Sequence, residues 1–199
     1  MKRSIVSLIL LLSVSIVVVF AFQFRADNDD GVATFTVDVA QDLKLGKYVQ
    51  NSVAPRVGDD FGRGDTAIVD GAIYPAGSIA PGPNSDPKAP AIGRYHWIAT
   101  YAVSFADFEA AVKGAKNAPP ILAFATEQFD LPDNGTSLIT EGVWPNAHFT
   151  LRRPVVGGTG NFRYMVGETR VENIGENSTG GCNLRVTFIL RKAKEDQGR

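Results

Sequence analysis

The chain has 199 residues but one cysteine, Cys182, and two histidines, His96 and His148. A single thiol excludes an intrachain disulfide and a cysteine-built zinc site. Two imidazoles leave little for a histidine metal centre, so no metal is expected. Charge of one sign is also lacking: 20 Lys+Arg against 21 Asp+Glu leave a formal charge of −1. With no basic surplus to neutralise phosphates, nucleic acid is not an expected partner. Rossmann glycines, a Ser-His-Asp arrangement and a G-x-S-x-G elbow are missing, and no cofactor is expected. Helical periodicity is scarce, because 20 Gly and 11 Pro interrupt the chain too often for a bundle. What is present is an ordinary globular composition, 44% hydrophobic and 21% charged, which excludes a mostly disordered chain.

Long hydrophobic runs are confined to one place. Residues Ser4 to Phe24 carry no charge; Lys2 and Arg3 precede them, and Arg25, Asp27, Asp29 and Asp30 follow. Roughly 20 apolar residues suffice to cross a bilayer as a helix. The run is longer than the core of a cleaved signal peptide, and no clear A-x-A site follows it. Basic residues before it and acidic ones after it place the rest of the chain outside the membrane. The expected organisation is a signal peptide or signal anchor over 1–30, one domain over 34–191 and a charged, frayed tail over 192–199. The domain is expected to be exported, either anchored or secreted.

From Thr34 the apolar residues recur with a period of two, the signature of strands. ATFTVDVAQD sets Phe35, Val37 and Val39 against Thr34, Thr36 and Asp38. RYHWIATYAV sets Tyr95, Trp97 and Tyr101 against Arg94, His96 and Thr100. Turn-rich stretches (PGPNSDP, LPDNGT, VVGGTGN, ENSTGG) separate such runs. Only Phe105 to Asn117 reads as helical, ended by Pro119–Pro120. Many short strands in one unit point to a closed barrel or a sandwich, since both hide sheet edges. The Gly157-Gly158-Thr159-Gly160 stretch lacks the Lys-Ser/Thr and the helix of a phosphate loop, and Asn161-Phe162-Arg163 is expected to begin a strand. It reads as a tight turn.

Four blocks in order, VGDDFGRGDTAIVDG, IGRYHWIATYAV, LAFATEQFDLPDNGTSLITEGVW and LRRPVVGGTGNFRYMVGETRV, with TGGCNLRVTFIL after them, resemble plant dirigent proteins and the related allene oxide cyclases. The resemblance covers about Phe35 to Leu190. It implies an all-β fold, a single eight-stranded antiparallel barrel with a central cavity, and a homo-oligomer (dimer or trimer).

Asp38 is unusual in mid-strand, where aspartate has poor propensity and resists burial. Either it faces solvent beside Thr34 and Thr36, or, as the resemblance implies, it is a cavity acid that protonates or orients an oxygen. Asp59 and Asp65 fall in a polar loop and read as solvated acids; the cyclases' water-holding Asn and Pro have no clear match there. Arg152 and Arg153 are neighbours, so one faces inward whichever register holds. Arg152 is the favoured one, with Asp38 or Glu168 as its counter-charge. Tyr95, Trp97 and Tyr101, with Phe162 and Tyr164, are the expected aromatic wall for a substrate, and His96 the alternative lining. Asn134 and Asn177 head glycosylation sequons in predicted turns. The expected function is a cofactor-independent cyclase or isomerase acting on a hydrophobic small molecule. A dirigent role in radical coupling and a lipocalin-like carrier are the alternatives.

Overall fold

The computed structural model describes residues 31–50, 62–131, 135–145 and 151–193. Residues 4–24, Asp59, Asn134, His148 and the tail from 194 onward lie outside them. Among the described residues no helix is long and apolar enough to cross a membrane.

Eight strands follow the alternating runs: β1 (Val32–Val49), β2 (Thr66–Pro75), β3 (Gly93–Tyr101), β4 (Ile121–Asp130), β5 (Ser137–Pro145), β6 (Leu151–Gly158), β7 (Met165–Glu176) and β8 (Cys182–Lys192). Each pairs antiparallel with the next, and β8 returns to β1 from Val32↔Arg191 to Ala40↔Asn183. The barrel is therefore closed, and no strand offers a free edge. The expected eight-stranded antiparallel barrel is the fold observed.

The strand period decides what faces the axis. Inward positions include Val37 and Val39 on β1, Tyr95, Trp97 and Tyr101 on β3, Phe129 on β4, Leu138 on β5, and Val186, Phe188 and Leu190 on β8; all are nearly or fully buried. Burying each large apolar side chain is worth about 1.5–3 kcal/mol. Helix α1 (Phe105–Val112) lies in the β3–β4 connection, and the Ser104 hydroxyl caps it by accepting the Asp107 N–H at 3.2 Å. It is shorter than the sequence suggests, ending at Lys113 before Gly114, whose φ of +79° suits a left-handed stop. The end of the barrel carrying α1 is here called the upper end.

The lower end is closed by the glycine-rich turn. Gly160 has φ +55°, and a Cβ there would collide with the Thr136 hydroxyl. A single 3₁₀ turn, Gly160–Phe162, follows in place of the expected strand start. Phe162 thus lies on the turn and plugs the lower end, stacked 5.6 Å from Phe35.

The β2–β3 connection, 76–92, straps the outer wall. Its Gly82 bridges to Gly175, and Ser85 and Asp86 bond Glu176, Asn183 and Ser178. Beneath this strap lies Asp38, opposite in orientation to Val37 and Val39. Its carboxylate accepts the Ile79 N–H at 3.0 Å and pairs with Arg185 Nε at 2.9 Å. Asp38 is fully buried, so it neither faces solvent nor reaches the axis; the strap supplies a cover that alternation alone does not show. Asp38→Ala is expected to destabilise the fold by about 3 kcal/mol, because the buried Ile79 N–H loses its acceptor and Arg185 loses its counter-charge, keeping only the Ile79 carbonyl. Chemical denaturation measures this, and ligand handling inside the barrel is expected to survive it.

Candidate active site at the barrel axis

Among the described residues, one charged pair sits inside the barrel. Glu127 on β4 belongs to the inward row Ala123, Ala125, Glu127, Phe129, and Arg153 on β6 points inward between Leu151 and Val155. Arg153 Nη1 stands 2.8 Å from Glu127 Oε1, with both side chains only 2–3% exposed. The Tyr95 hydroxyl donates to Glu127 Oε1 at 2.9 Å, and the Thr140 hydroxyl donates to Oε2 at 2.9 Å. The carboxylate is thus held by two hydroxyls and one cation. This offsets a desolvation cost of several kcal/mol per buried ion.

The arginine is less well served. Its Nη1 is close to Glu127 but off the N–H direction, so that contact is coulombic, and neither Nη1 nor Nε has a hydrogen-bond acceptor. Buried donors without acceptors are rare and costly. Placed on the axis, they are what a ligand oxygen would satisfy.

Aromatic rings lie below and above this cluster. Below, Tyr95 and Phe129 (5.2 Å), Phe129 and Phe188 (5.0 Å), and Phe188 and Phe35 (4.7 Å) form a continuous floor down to Phe162. Above, Trp97 and Trp144 meet edge to face at 5.3 Å, and Phe108 from α1 contacts both Trp144 and Tyr101 at 5.9 Å. Trp144 and Phe108 are only partly buried, which marks the upper end as the accessible one.

Several expected residues stand elsewhere. Arg152 points outward and pairs with Glu168 at 2.9 Å, leaving the interior role to its neighbour Arg153. Tyr164 is not part of the wall: it is 70% exposed at φ +66°, with Arg163 over its ring. The 3₁₀ turn breaks the alternation that would have turned it inward beside Phe162. His96 is on the outer wall, Nδ1 2.7 Å from Asp70 and Nε2 3.5 Å from Asp130. It borders an external groove of 690 Å³ under the strap. A second external groove, of 460 Å³, runs over β7, β8 and the start of β1.

Asp65 is buried rather than solvated, accepting the Gly62 N–H at 2.6 Å. Asn177 is a poor glycan acceptor, since it is buried and donates its amide to Gln41 O and Asn183 Oδ1. Tyr95, Trp97 and Tyr101 do share the inner wall.

No family model and no curated protein matches the chain. Solved structures do match in fold. The pterocarpan synthase dirigent protein PsPTS1 aligns with a TM-score of 0.57 at 14% identity, covering 84% of this chain and 99% of its own. The Diels Alderase AbmU from Streptomyces koyangensis gives 0.50 at 17% identity, covering 87% of this chain and 75% of its own. Pyocyanin demethylase gives 0.50 at 14% identity, covering 79% and 99%. At these identities the likeness shows the fold: the dirigent and cyclase type of barrel.

Burial holds the Tyr95 phenol protonated, its pKa well above the usual 10, and the Glu127 charge adds to the shift. A proton bound more tightly in the folded than in the unfolded state contributes stability below the unfolded pKa, about 10 for tyrosine. That stability is lost as pH rises through the folded value. Wild-type unfolding midpoints are therefore expected to fall above about pH 10. Tyr95→Phe is expected to start lower at neutral pH and decline less, as thermal unfolding across the alkaline range will show.

Proposed function

We propose that the protein is a cofactor-independent cyclase or isomerase that folds a hydrophobic small molecule inside the barrel. The observation that carries this reading is Arg153, a fully buried guanidinium at the axis with N–H groups that no protein atom accepts. In a site of low dielectric, pre-positioned donors stabilise charge that develops on an oxygen far better than water does. Glu127, gripped by Tyr95 and Thr140, holds the guanidinium in place and is itself too engaged to leave. The Tyr95 hydroxyl, kept protonated by burial, is one of the two hydroxyls that donate to the carboxylate at 2.9 Å.

The aromatic surfaces of Trp97, Tyr101, Trp144 and Phe108 would hold a flexible apolar chain in one conformer. Such restriction alone removes much of the entropic barrier to ring closure. The barrel shared with a Diels Alderase and with dirigent proteins supports the reading. Arg153 is the catalytic residue of this proposal, and Glu127 is a positioning residue.

Ring closure and isomerisation leave mass unchanged, which makes the test direct. Full-length protein is incubated with a lipophilic extract of the producing cells, and conversions between species of equal mass are followed by chromatography and mass spectrometry. The expected result is an isomeric product whose rate of formation falls by about 10²-fold or more in Arg153→Met, the scale of one lost oxyanion donor. A ligand recovered unchanged would make the barrel a carrier. Coupled products of doubled mass, formed only with an added one-electron oxidase, would make it a dirigent protein.

A further inference from the structure

Four inward positions at one level of the wall carry almost no side chain. Ala67, Ala99, Ala125 and Gly142 are consecutive register partners across β2, β3, β4 and β5. Such a row is ordinary packing unless something else addresses it, and here Arg153 does. A Cβ on Gly142 would stand 3.3 Å from Arg153 Cγ and 3.7 Å from Cδ. The arginine stem therefore lies across the end of the row, and Nε, the guanidinium atom next to that stem, is buried without an acceptor. In this structure Trp97 and Trp144, the neighbouring inward residues on β3 and β5, meet edge to face beside the row. Their contact takes the room that the small side chains leave.

Charge decides what the vacant donors accept. Glu127 already balances Arg153, and the other polar groups of the cluster are uncharged: the Tyr95 and Thr140 hydroxyls are spent on Glu127, and the Gln41 amide bonds Tyr95. The buried cluster is neutral as a whole. An anionic ligand would add a buried charge without a partner, at a cost of several kcal/mol. A neutral carbonyl would accept the free N–H and add none.

We propose that the Ala67–Ala99–Ala125–Gly142 row seats a flat, conjugated and uncharged carbonyl compound whose oxygen accepts a hydrogen bond from Arg153. This deepens the functional reading above and rests on the barrel interior being the working site. The ligand parts or displaces the edge-to-face indoles, and the small residues set how wide a ring system fits.

The chain's two tryptophans are Trp97 and Trp144, so tryptophan fluorescence, excited where tyrosine does not absorb, reports on this seat. Three probes of one shape separate the terms: 2-acetylnaphthalene (neutral carbonyl), 2-ethylnaphthalene (no acceptor) and 2-naphthoate (anion). Titrations of the full-length protein are expected to show the ketone tightest, by about tenfold over the hydrocarbon, the scale of a hydrogen bond to a charged donor. In Arg153→Met the ketone and the hydrocarbon are expected to bind alike. In Glu127→Gln the arginine charge is left unbalanced, and naphthoate is expected to overtake the ketone.

Ala99→Leu is expected to weaken all three probes by about tenfold or more while keeping their order. Circular dichroism checks that each variant is folded. Equal binding of ketone and hydrocarbon in the wild type, a ketone preference that survives Arg153→Met, or affinities untouched by Ala99→Leu would overturn the proposal. Isomer formation by a protein that shows no ketone preference would sink this inference and leave the functional reading standing. The expected probe order without any conversion would do the reverse.

Discussion

The Glu127–Arg153 pair is the constraint around which the interior is built. Two opposite charges at the axis of a closed barrel lose most of their hydration, and attraction between them alone rarely repays that loss. The structure spends two hydroxyls, Tyr95 and Thr140, on the carboxylate and none on the guanidinium. A core selected for stability alone would gain from apolar residues at both positions. The asymmetry gives the pair a direction: the anion is finished, and the cation is left with buried donors that no acceptor meets.

A second pair, the buried Asp38 with the partly exposed Arg185, shows the contrast. It lies on the outer wall under the 76–92 strap, and the backbone of Ile79 serves both partners, its N–H bonding Asp38 and its carbonyl Arg185. That pair ties the strap to β1 and β8. Both pairs couple an acid to an arginine, and strand parity alone sends one to the axis and the other outward. The aromatic floor from Tyr95 to Phe162 makes the lower end solid, so access and adaptation belong to the upper end, where Trp144 and Phe108 are partly exposed.

Much of the fold was legible because a two-residue period is a geometric property of strands, and the runs that show it became β1, β3 and the rest in order. The inner aromatic face of β3 followed from the same period. For Asp38 the period and the resemblance pointed opposite ways, and the side followed the period, which sets it with Thr34 and Thr36, opposite Val37 and Val39. Its burial was invisible, because a covering strap is a tertiary contact with no local pattern. Glu127 carried a readable signal: it shares parity with Ala123, Ala125 and Phe129, so the face that buries Phe129 buries the acid. Arg152 and Arg153 could not be separated without the register of β6, and a bulge between β5 and β6 shifts that register. Tyr164 was lost to a single 3₁₀ turn, which resets parity without altering composition.

The proposed chemistry depends on an Arg153 N–H free at the axis, and the side-chain Nε–H resonance of that arginine observes it directly. In a ¹⁵N–¹H spectrum of the uniformly labelled protein, assigned by its loss in Arg153→Lys, the signal is predicted to be protected from solvent exchange. It is predicted to move downfield when 2-acetylnaphthalene is added, as a new acceptor engages it. A resonance that exchanges rapidly with water, or one that stays fixed while the ligand saturates the protein, would contradict the account.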